Sequence, residues 1–587
     1  MQKRREFGDL MDFLKIYSAR DLQPHVYDIK QAKVIAVDTE TTGLDPHTNK
    51  LRLVQIAAVG LPVFVIDCFT FLPDGAELLR DILETRAVKI FQNAKFDLQF
   101  FMSIGVYPVP IFDTMLAGQL LRTSGGAARA GLEALALHYL DEVISKDEQK
   151  SDWSGTLTEK QIEYAAKDAD VLLRLREVMV ENIFENSLSE IARIEFSCAS
   201  AIAQIEYTGI CLDITKWKEL LAKTVKARDD ALNILYGYTS RPTIQMTITG
   251  EDVVYGHNFD SNPFILKLLH KNGINVGSTS KRDLSAYKNN PLVRALIDYR
   301  KAAKSLSSFL YPIPAMIHPK TGRLHPRYGQ FGAWSGRMTC SGPNIQQIPR
   351  DKNFRACFVA GPGRKLIIAD YSQIELRVAA DMTNDSRMTQ AYKNGDDLHK
   401  LTASLMLGKP IDTISAQERQ AAKAVNFGLI YSMGAAGLQQ YSAQSYGVDM
   451  TLEQAETFRK RFFSAYTGIA RWHSELKKTP PTESRTMAGR KFTFSSNAGL
   501  SGLCNTPVQG TAADIVKKAL GLLVPRLKGT GTNIIGVVHD EILLETPEDN
   551  AAYVASLLKS VMEEAGNSIL KNVPCQADVT IADNWAG

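Results

Sequence analysis

The stretch that most constrains this chain runs from Lys365 to Arg377, KLIIADYSQIELR, where an apolar run ends at Asp370 and turns at once into polar residues. Leu366, Ile367, Ile368 and Ala369 suit a short buried strand, bounded upstream by Gly361, Pro362 and Gly363. Asp370 is then a carboxylate at a strand end, a place that a turn former or helix cap also occupies. A second stretch, Asn533 to Leu544 (NIIGVVHDEILL), has two apolar runs separated only by His539, Asp540 and Glu541, which predicts a tight hairpin with acids at its tip. Two strand ends carrying Asp370 and Asp540 can hold two divalent cations roughly 3.5–4 Å apart, the arrangement used for in-line phosphoryl displacement. Strand alternation sends Asp540 and Glu541 to opposite faces, so only one of them is expected to be a principal ligand.

Between these stretches, Ser415 to Tyr431 (SAQERQAAKAVNFGLIY) predicts a helix opened by a capping box, with Ser415 as N-cap and Glu418 three residues on. Arg419, Lys423, Phe427 and Tyr431 recur every four residues and lie along one slowly drifting stripe. An amphipathic helix with a solvated basic edge has the same spacing. The order cation, cation, aromatic, aromatic suits a nucleoside triphosphate instead: charges for the phosphates, a ring for sugar and base.

Together DYSQIELR, the R-x3-K-x3-NFG-x2-Y helix and VHDE resemble the polymerase motifs of family A DNA polymerases, the bacterial DNA polymerase I family. The resemblance implies a thumb, palm and fingers fold and two magnesium ions, with manganese as a substitute. They would be held by Asp370 and Asp540, with Tyr371 among the metal positions and Glu541 and Lys423 among the catalytic ones. It implies a fingers helix that closes on an incoming dNTP, with Gln373, His399, Arg419, Lys423, Phe427 and Tyr431 as nucleotide contacts. Glu375 becomes a steric gate against a ribose 2′-hydroxyl, supported by Tyr431, and His399 reaches the phosphates beside Arg419 and Lys423.

Upstream, Val34 to Val37 forms an apolar strand leading into Asp38-Thr-Glu40-Thr-Thr-Gly43, and the two-residue spacing puts Asp38 and Glu40 on one face. Asn93-Ala-Lys-Phe-Asp97 supplies a third acid. Tyr164-Ala-Ala-Lys-Asp168 supplies a fourth, in a helix where Tyr164 and Asp168 are one turn apart. Singly these acids suit structural or solvated roles. As a set they resemble the Exo I, II and III motifs of DEDD exonucleases, in the subtype with Tyr before the last Asp, and Ser151-Asp152-Trp153 resembles these nucleases too. Four carboxylates can hold two metal ions while the Tyr164 hydroxyl orients a water, so a 3′–5′ exonuclease acting on a single-stranded primer end is implied. A ribonuclease H-like fold follows for 26–190, after an N-terminal extension, 1–25, read as a helical lead-in. That lead-in leaves no room for the separate 5′ nuclease domain that many bacterial members carry.

The polymerase domain then covers 191–587: thumb about 191–310, palm about 311–400 and 500–587, fingers about 401–499. The whole is an α/β and α+β multidomain chain. Thr208-Gly209-Ile210 breaks a helix at the start of the thumb, and Tyr236 to Ser261 carries mixed signals that assign no element. Asn262-Pro263, Ser278 to Lys281, Arg300, Lys301 and Lys304 suit a grip on duplex backbone, although a solvated helix face explains any one of them equally. Thr321 to Pro349 resembles the family's primer–template contact region. There Arg337, Asn344 and Gln346 would meet minor-groove acceptors, which look alike in every correct base pair. Asn505 and Gln509, in NTPVQGTAAD, match the helix lining the duplex, and His539 would meet the primer terminus. Three residues depart from the family: Ser432 where Gly is usual, Ser501 where a basic residue is common, and Gly342 where Asp is usual.

Composition adds bounds. At 587 residues with 45% hydrophobic content the chain can bury several cores, while a net charge of +4 does not announce nucleic-acid binding. Any DNA path must come from local basic and aromatic patches. The seven cysteines form no C-x-x-C pair and read as reduced thiols without a zinc site. The longest apolar tract contains Gly60, Pro62 and Asp67, so no membrane span is expected. The expectation is a monomer acting on primer–template DNA with dNTPs and with no insertion of the kind that recruits a processivity factor. Its setting would be cytoplasmic and nucleoid-associated in a bacterium or phage-infected host, an organelle staying open. An RNA polymerase on the same palm conflicts with Glu375, and a non-catalytic DNA-binding subunit conflicts with the retention of Asp370 and Asp540.

Overall fold

A six-stranded mixed sheet organises the N-terminal region of the computed structural model, which describes residues 12–122, 130–144, 147–148, 150–239, 243–246, 252–255 and 257–587. Its strands are β1 (Phe13–Ile16), β2 (Val34–Thr41), β3 (Leu51–Ala58), β4 (Val63–Asp67), β5 (Val88–Phe91) and β6 (Ile111–Asp113), in the order β1-β4-β3-β2-β5-β6. Only β3 runs against its neighbours. All its residues are buried, as expected of a central strand covered on both faces. Helix α1 (Ala94–Ser103) follows β5, and α2 (Glu159–Glu185), opened by a Thr158–Gln161 capping box, packs against β2 and β3.

The lead-in read as a helical extension is helical over Ala19–Leu22 and Val26–Gln31, with a strand ahead of these helices that the reading lacked. Residues 1–11 lie outside the described residues, but β1 pairs in parallel with β4 and belongs to the sheet. A four-residue edge strand with a lysine in it carries too little apolar signal to be read locally.

Helix α3 (Ser189–Thr208) carries the chain onward and ends where expected. Gly209 has φ +65°, and a Cβ there would lie 2.4 Å from the Leu324 carbonyl oxygen, so only glycine fits. Helices α4 (Ile214–Tyr236) and α5 (Pro291–Ser305) pack together in the stretch expected to be the thumb, which has its own apolar cluster around Leu235, Leu269, Val293 and Leu296. Within the unassigned 236–261 stretch, Thr243–Met246 and Asp252–Tyr255 pair antiparallel, and the residues between them lie outside the described ones.

Next come a hairpin of β7 (Arg327–Gly329) and β8 (Thr339–Ser341) and an antiparallel palm sheet. The sheet is built from β9 (Arg364–Tyr371), β10 (Asn533–Val538), β11 (Glu541–Pro547) and β12 (Ala577–Ala582), in the order β10-β11-β9-β12. Helices α6 (Ile374–Thr383), α7 (Leu398–Leu407), α8 (Ala416–Leu429) and α9 (Leu500–Arg526) follow β9 in turn. One apolar core runs from the exonuclease sheet through α3 into the palm. Inside it Glu195 of α3 accepts from Lys517 Nζ at 2.7 Å and from Arg490, which also binds Asp514 at 2.6 Å. Two buried acids and two buried bases thus cancel across three segments. No described helix is long and apolar enough to cross a membrane, and all seven cysteines are free thiols.

Candidate active sites

In the palm sheet, β9 is one of two inner strands and pairs on both sides, with Asp370 opposite Glu541 and Asp578. His539 and Asp540 form the two-residue turn between β10 and β11, His539 at φ +60°, and the Tyr371 N–H donates to the Asp540 carbonyl at 3.3 Å. The two aspartates therefore meet at adjacent strand ends. Burial, then the charges of Asp540 and Glu541, push the Asp370 carboxyl up to about 7, and burial raises Asp540 also. Arg350 opposes both shifts. Sequence reading missed this arginine because nothing in Gln346-Gln347-Ile348-Pro349-Arg350 shows that the turn brings it to the acids.

Glu541 and Tyr371 both have protein partners for their side chains. Glu541 lies opposite Asp370 across the strand pair, where Arg355 holds it at 3.0 Å and the Trp585 indole N–H donates to it, so its carboxylate anchors the hairpin. The Tyr371 ring is 1% exposed and its hydroxyl donates to the Met562 carbonyl at 2.8 Å. Any metal role is left to its main chain.

On the fingers helix the Ser415–Glu418 capping box forms, with the Glu418 N–H donating to Ser415 Oγ at 3.2 Å. From residue 422 to 431 only Lys423, Phe427 and Tyr431 escape burial, so over this half of the helix the stripe is the one open edge. Arg419 Nε pairs with Asp397 at 2.6 Å, and the Tyr431 hydroxyl donates to Glu375. Gln373, at φ +57°, accepts from the Tyr392 hydroxyl at 3.2 Å. His399 is 1% exposed, bonded to Asn426 at 2.9 Å and driven by burial down to about 4. Its ring packs behind Phe427, the two ring centres 6.0 Å apart.

Of the residues expected to meet DNA, Arg337 pairs with Glu375, Gln509 Nε2 donates to Asn505 at 2.9 Å, and Asn344 Oδ1 is buried without a partner. Gln346 is half-buried and His539 and Lys304 are exposed. The thumb-tip reading changes in part. Arg300 donates to Asn262 Oδ1 at 3.0 Å and to the Thr279 carbonyl at 2.7 Å, so these three residues hold one another. Lys281 reaches across to the Gln444 carbonyl at 2.8 Å.

The second site opens as a cavity of about 650 Å³ lined by Asp38, Glu40, Leu44, Phe96, Trp153 and Tyr164. Asp38 and Glu40 are half-buried and line the cavity while Thr39 between them is buried, as strand alternation requires. The Thr39 hydroxyl donates to Asp97 at 2.5 Å. Asp113, not read from sequence, collects backbone N–H groups from Asn93, Ala94, Met115 and Leu116 at 2.8–3.2 Å and so sets the turn into α1. Burial and mutual repulsion raise Asp38 well above the carboxylate range and Glu40 to about 9; burial lifts Asp97 to about 7 and Asp168 to about 6. Tyr164 lies beside Asp168, whose Oδ1 is buried without a partner. Among the described residues no three such side chains converge on one cation-sized point. An orphaned carboxylate oxygen within a self-repelling acid cluster nonetheless suits divalent cations completed by water and substrate oxygens.

Residues 262–587 match the family model described as DNA polymerase family A. The chain belongs to the family A DNA polymerases. Residues 15–183 match the model described as 3′-5′ exonuclease, so a polymerase domain and a 3′–5′ exonuclease domain share this chain. It is 33% identical to DNA polymerase I of Aquifex aeolicus over 98% of this chain and 100% of that one. Against DNA polymerase I of Pseudomonas aeruginosa it is 28% identical over 95% of its length, but spans only 64% of that relative. The polymerase domain of Pol1 from M. smegmatis, solved with DNA primer-template and dNTP, shares the fold with a TM-score of 0.79 at 23% identity, covering 97% of this chain and 99% of that one. Family A polymerase and exonuclease domains generally depend on divalent metal ions.

Proposed function

We propose that the palm site copies a DNA template and that the N-terminal site edits the growing primer. The observation carrying this reading is the meeting of Asp370 and Asp540 at adjacent strand ends, beside Arg337, which pairs with the same Glu375 that Tyr431 of the helix stripe holds. Asp370 and Asp540 would hold magnesium, or manganese in its place, which when bound activates the primer 3′-hydroxyl and neutralises the departing pyrophosphate. Lys423 and Arg419 grip the triphosphate, Arg419 leaving Asp397 to do so. Phe427 packs on the sugar, and Glu375 fills the space of a 2′-hydroxyl. Arg337, Asn344, Gln346, Asn505, Gln509 and His539 read the geometry of the primer-terminal pairs from the minor groove, while Lys304 meets backbone phosphate.

In the exonuclease domain, Asp38, Glu40, Asp97 and Asp168 would hold the same type of ion, and the Tyr164 hydroxyl positions the attacking water. Leu44, Phe96 and Trp153 give the cavity an apolar wall for unstacked primer bases. The division into exonuclease, thumb, palm and fingers near residues 190, 310, 400 and 500 belongs to this reading. So do a monomeric state and a cytoplasmic, nucleoid-associated setting like that of a bacterial polymerase I.

A primer-extension assay on a labelled primer–template tests the reading. Growth with dNTPs and shortening without them are expected, both abolished by chelator. No growth with dNTPs would overturn it.

A further inference from the structure

Tyr328 sits at a junction that neither site by itself explains. Its ring is 1% exposed, and its hydroxyl donates to the Val537 carbonyl at 3.0 Å while accepting the Val537 N–H at 3.2 Å. β10 is an edge strand of the palm sheet, so the side of Val537 away from β11 has no strand to pair with. One phenol replaces that missing neighbour, three residues before Asp540.

The backbone of the same residue is held from the opposite direction. The Tyr328 N–H donates to Glu206 Oε1 at 2.7 Å, and Lys95 Nζ donates to the Tyr328 carbonyl at 2.7 Å. Lys95 also pairs with Glu206 Oε1 at 2.7 Å, and Gln99 Nε2 donates to Glu206 Oε2 at 3.1 Å. Lys95 stands on α1 two residues before Asp97. A continuous line of hydrogen bonds therefore runs from the helix carrying Asp97, through Glu206 on α3 and Tyr328 on β7, to the strand that leads into Asp540.

We infer that Lys95, Glu206 and Tyr328 form a strut through which the exonuclease domain positions the polymerase's catalytic hairpin, Tyr328 being the positioning residue for Asp540. The inference rests on the reading of Asp370 and Asp540 as the polymerase pair. The two aspartates are not equally supported: Asp370 lies on a strand paired on both sides, whereas Asp540 follows an edge strand with a register shift between Ile534 and Gly536. A catalytic group displaced by a fraction of an ångström costs rate out of proportion to the movement. A buried carboxylate shared by an ammonium and two amide donors resists such movement, because each donor would be left unpaired.

Single-nucleotide insertion by the full chain tests this, with kcat and the KM for dNTP measured separately, well below the melting temperature of each variant. Digestion of single-stranded DNA is followed in parallel. Tyr328→Phe keeps the ring and removes the hydroxyl. Insertion kcat should fall about tenfold, equal to about 1.4 kcal/mol, with KM within about twofold and single-strand digestion unchanged. Lys95→Met should lower insertion kcat by about threefold although Lys95 lies in the exonuclease domain, and Lys95→Arg should restore most of it. Because both changes cut one line, the double variant should be no slower than Tyr328→Phe alone. Normal insertion by Tyr328→Phe or by Lys95→Met, multiplicative effects in the double variant, or a parallel fall in both activities would each overturn the strut. A parent chain that failed to extend primers at all would instead overturn the polymerase reading beneath it.

Discussion

The Tyr431 hydroxyl donates to one carboxylate oxygen of Glu375 while the Arg337 guanidinium holds the other. Pinned at both oxygens, Glu375 cannot swing aside to admit a bulkier sugar. Glu375→Ala should therefore raise ribonucleotide over deoxynucleotide incorporation by roughly tenfold to a hundredfold, since removing the overlap is worth about 1.4–2.7 kcal/mol. Tyr431→Phe loses one hydrogen bond of about 1 kcal/mol and should relax the same ratio by only about fivefold. Competitive incorporation of the two nucleotides measures both, and an unchanged ratio for Glu375→Ala would show that the side chain does not face the sugar.

The two acid clusters sit on separate sheets, so their losses should separate. Asp38→Ala combined with Glu40→Ala should abolish primer shortening while extension persists, and Asp540→Ala should do the reverse. Removing a metal-binding carboxylate costs several kcal/mol of transition-state stabilisation, hence about a thousandfold or more in rate. Extension lost together with shortening in the exonuclease variant would contradict the assignment of one activity to each cluster.

Ser432 adopts φ +61° just after the fingers helix, where the family usually has glycine. A left-handed conformation costs an L-residue about 1–2 kcal/mol, and glycine returns about 0.5–1 kcal/mol of that through its freer unfolded chain. Ser432→Gly should thus stabilise the protein by about 0.5–1 kcal/mol, seen as a higher denaturant midpoint. A lower midpoint would mean that the serine side chain supports the turn.

His325 predicts a pH dependence at the domain junction. Its Nδ1 meets the Glu206 carbonyl at 2.8 Å, its Nε2 meets Thr321 Oγ1 at 2.7 Å, and burial, then His47, His318 and Arg323, lower its pKa to about 4. The folded chain resists a proton that the unfolded chain takes up near the ordinary value of about 6.5. The stabilising difference is complete above about 6.5 and is lost as pH falls toward about 4. Melting temperature should drop across that window more steeply in the parent than in His325→Gln. Parallel pH profiles for the two would exclude His325 as the source.

What could be read from sequence was local. Four apolar residues before Asp370, an acid-tipped hairpin and a four-residue recurrence along one helix are short-range patterns, and the palm strands, the two-residue turn and the open stripe follow them. What escaped depends on partners far along the chain. Nothing near Glu541 shows that Arg355 and Trp585 will claim it, nothing near His399 shows that Asn426 will, and Asp113 gains its role only when two segments meet at its carboxylate. Arg300 looked like a phosphate ligand because its sequence neighbours are basic, yet Asn262 and Thr279 use its donors inside the thumb. The strut through Tyr328 is of the same kind, since it links residues 95, 206, 328 and 537.

Phe427 carries the last prediction. It is one of the few residues of its helix turn that is not buried, and the ring behind it is the neutral, fully packed His399. With Arg419 and Lys423 toward the helix start holding the phosphates, a ring one turn on should face the sugar near its 3′ position. Phenylalanine offers only carbon and hydrogen there, so the substrate's own 3′-hydroxyl helps set the productive pose, and a dideoxynucleotide should be used poorly. Phe427→Tyr places a hydroxyl where the missing one was. A restored polar contact of about 1.5–3 kcal/mol corresponds to roughly tenfold to over a hundredfold better relative use of dideoxynucleotide, with normal synthesis nearly unchanged. Were Phe427 only a packing residue, the added hydroxyl would be buried without a partner and would depress both substrates alike. Competition between dideoxy- and deoxynucleotide for the two proteins separates these outcomes, and an unchanged ratio would remove Phe427 from the sugar pocket.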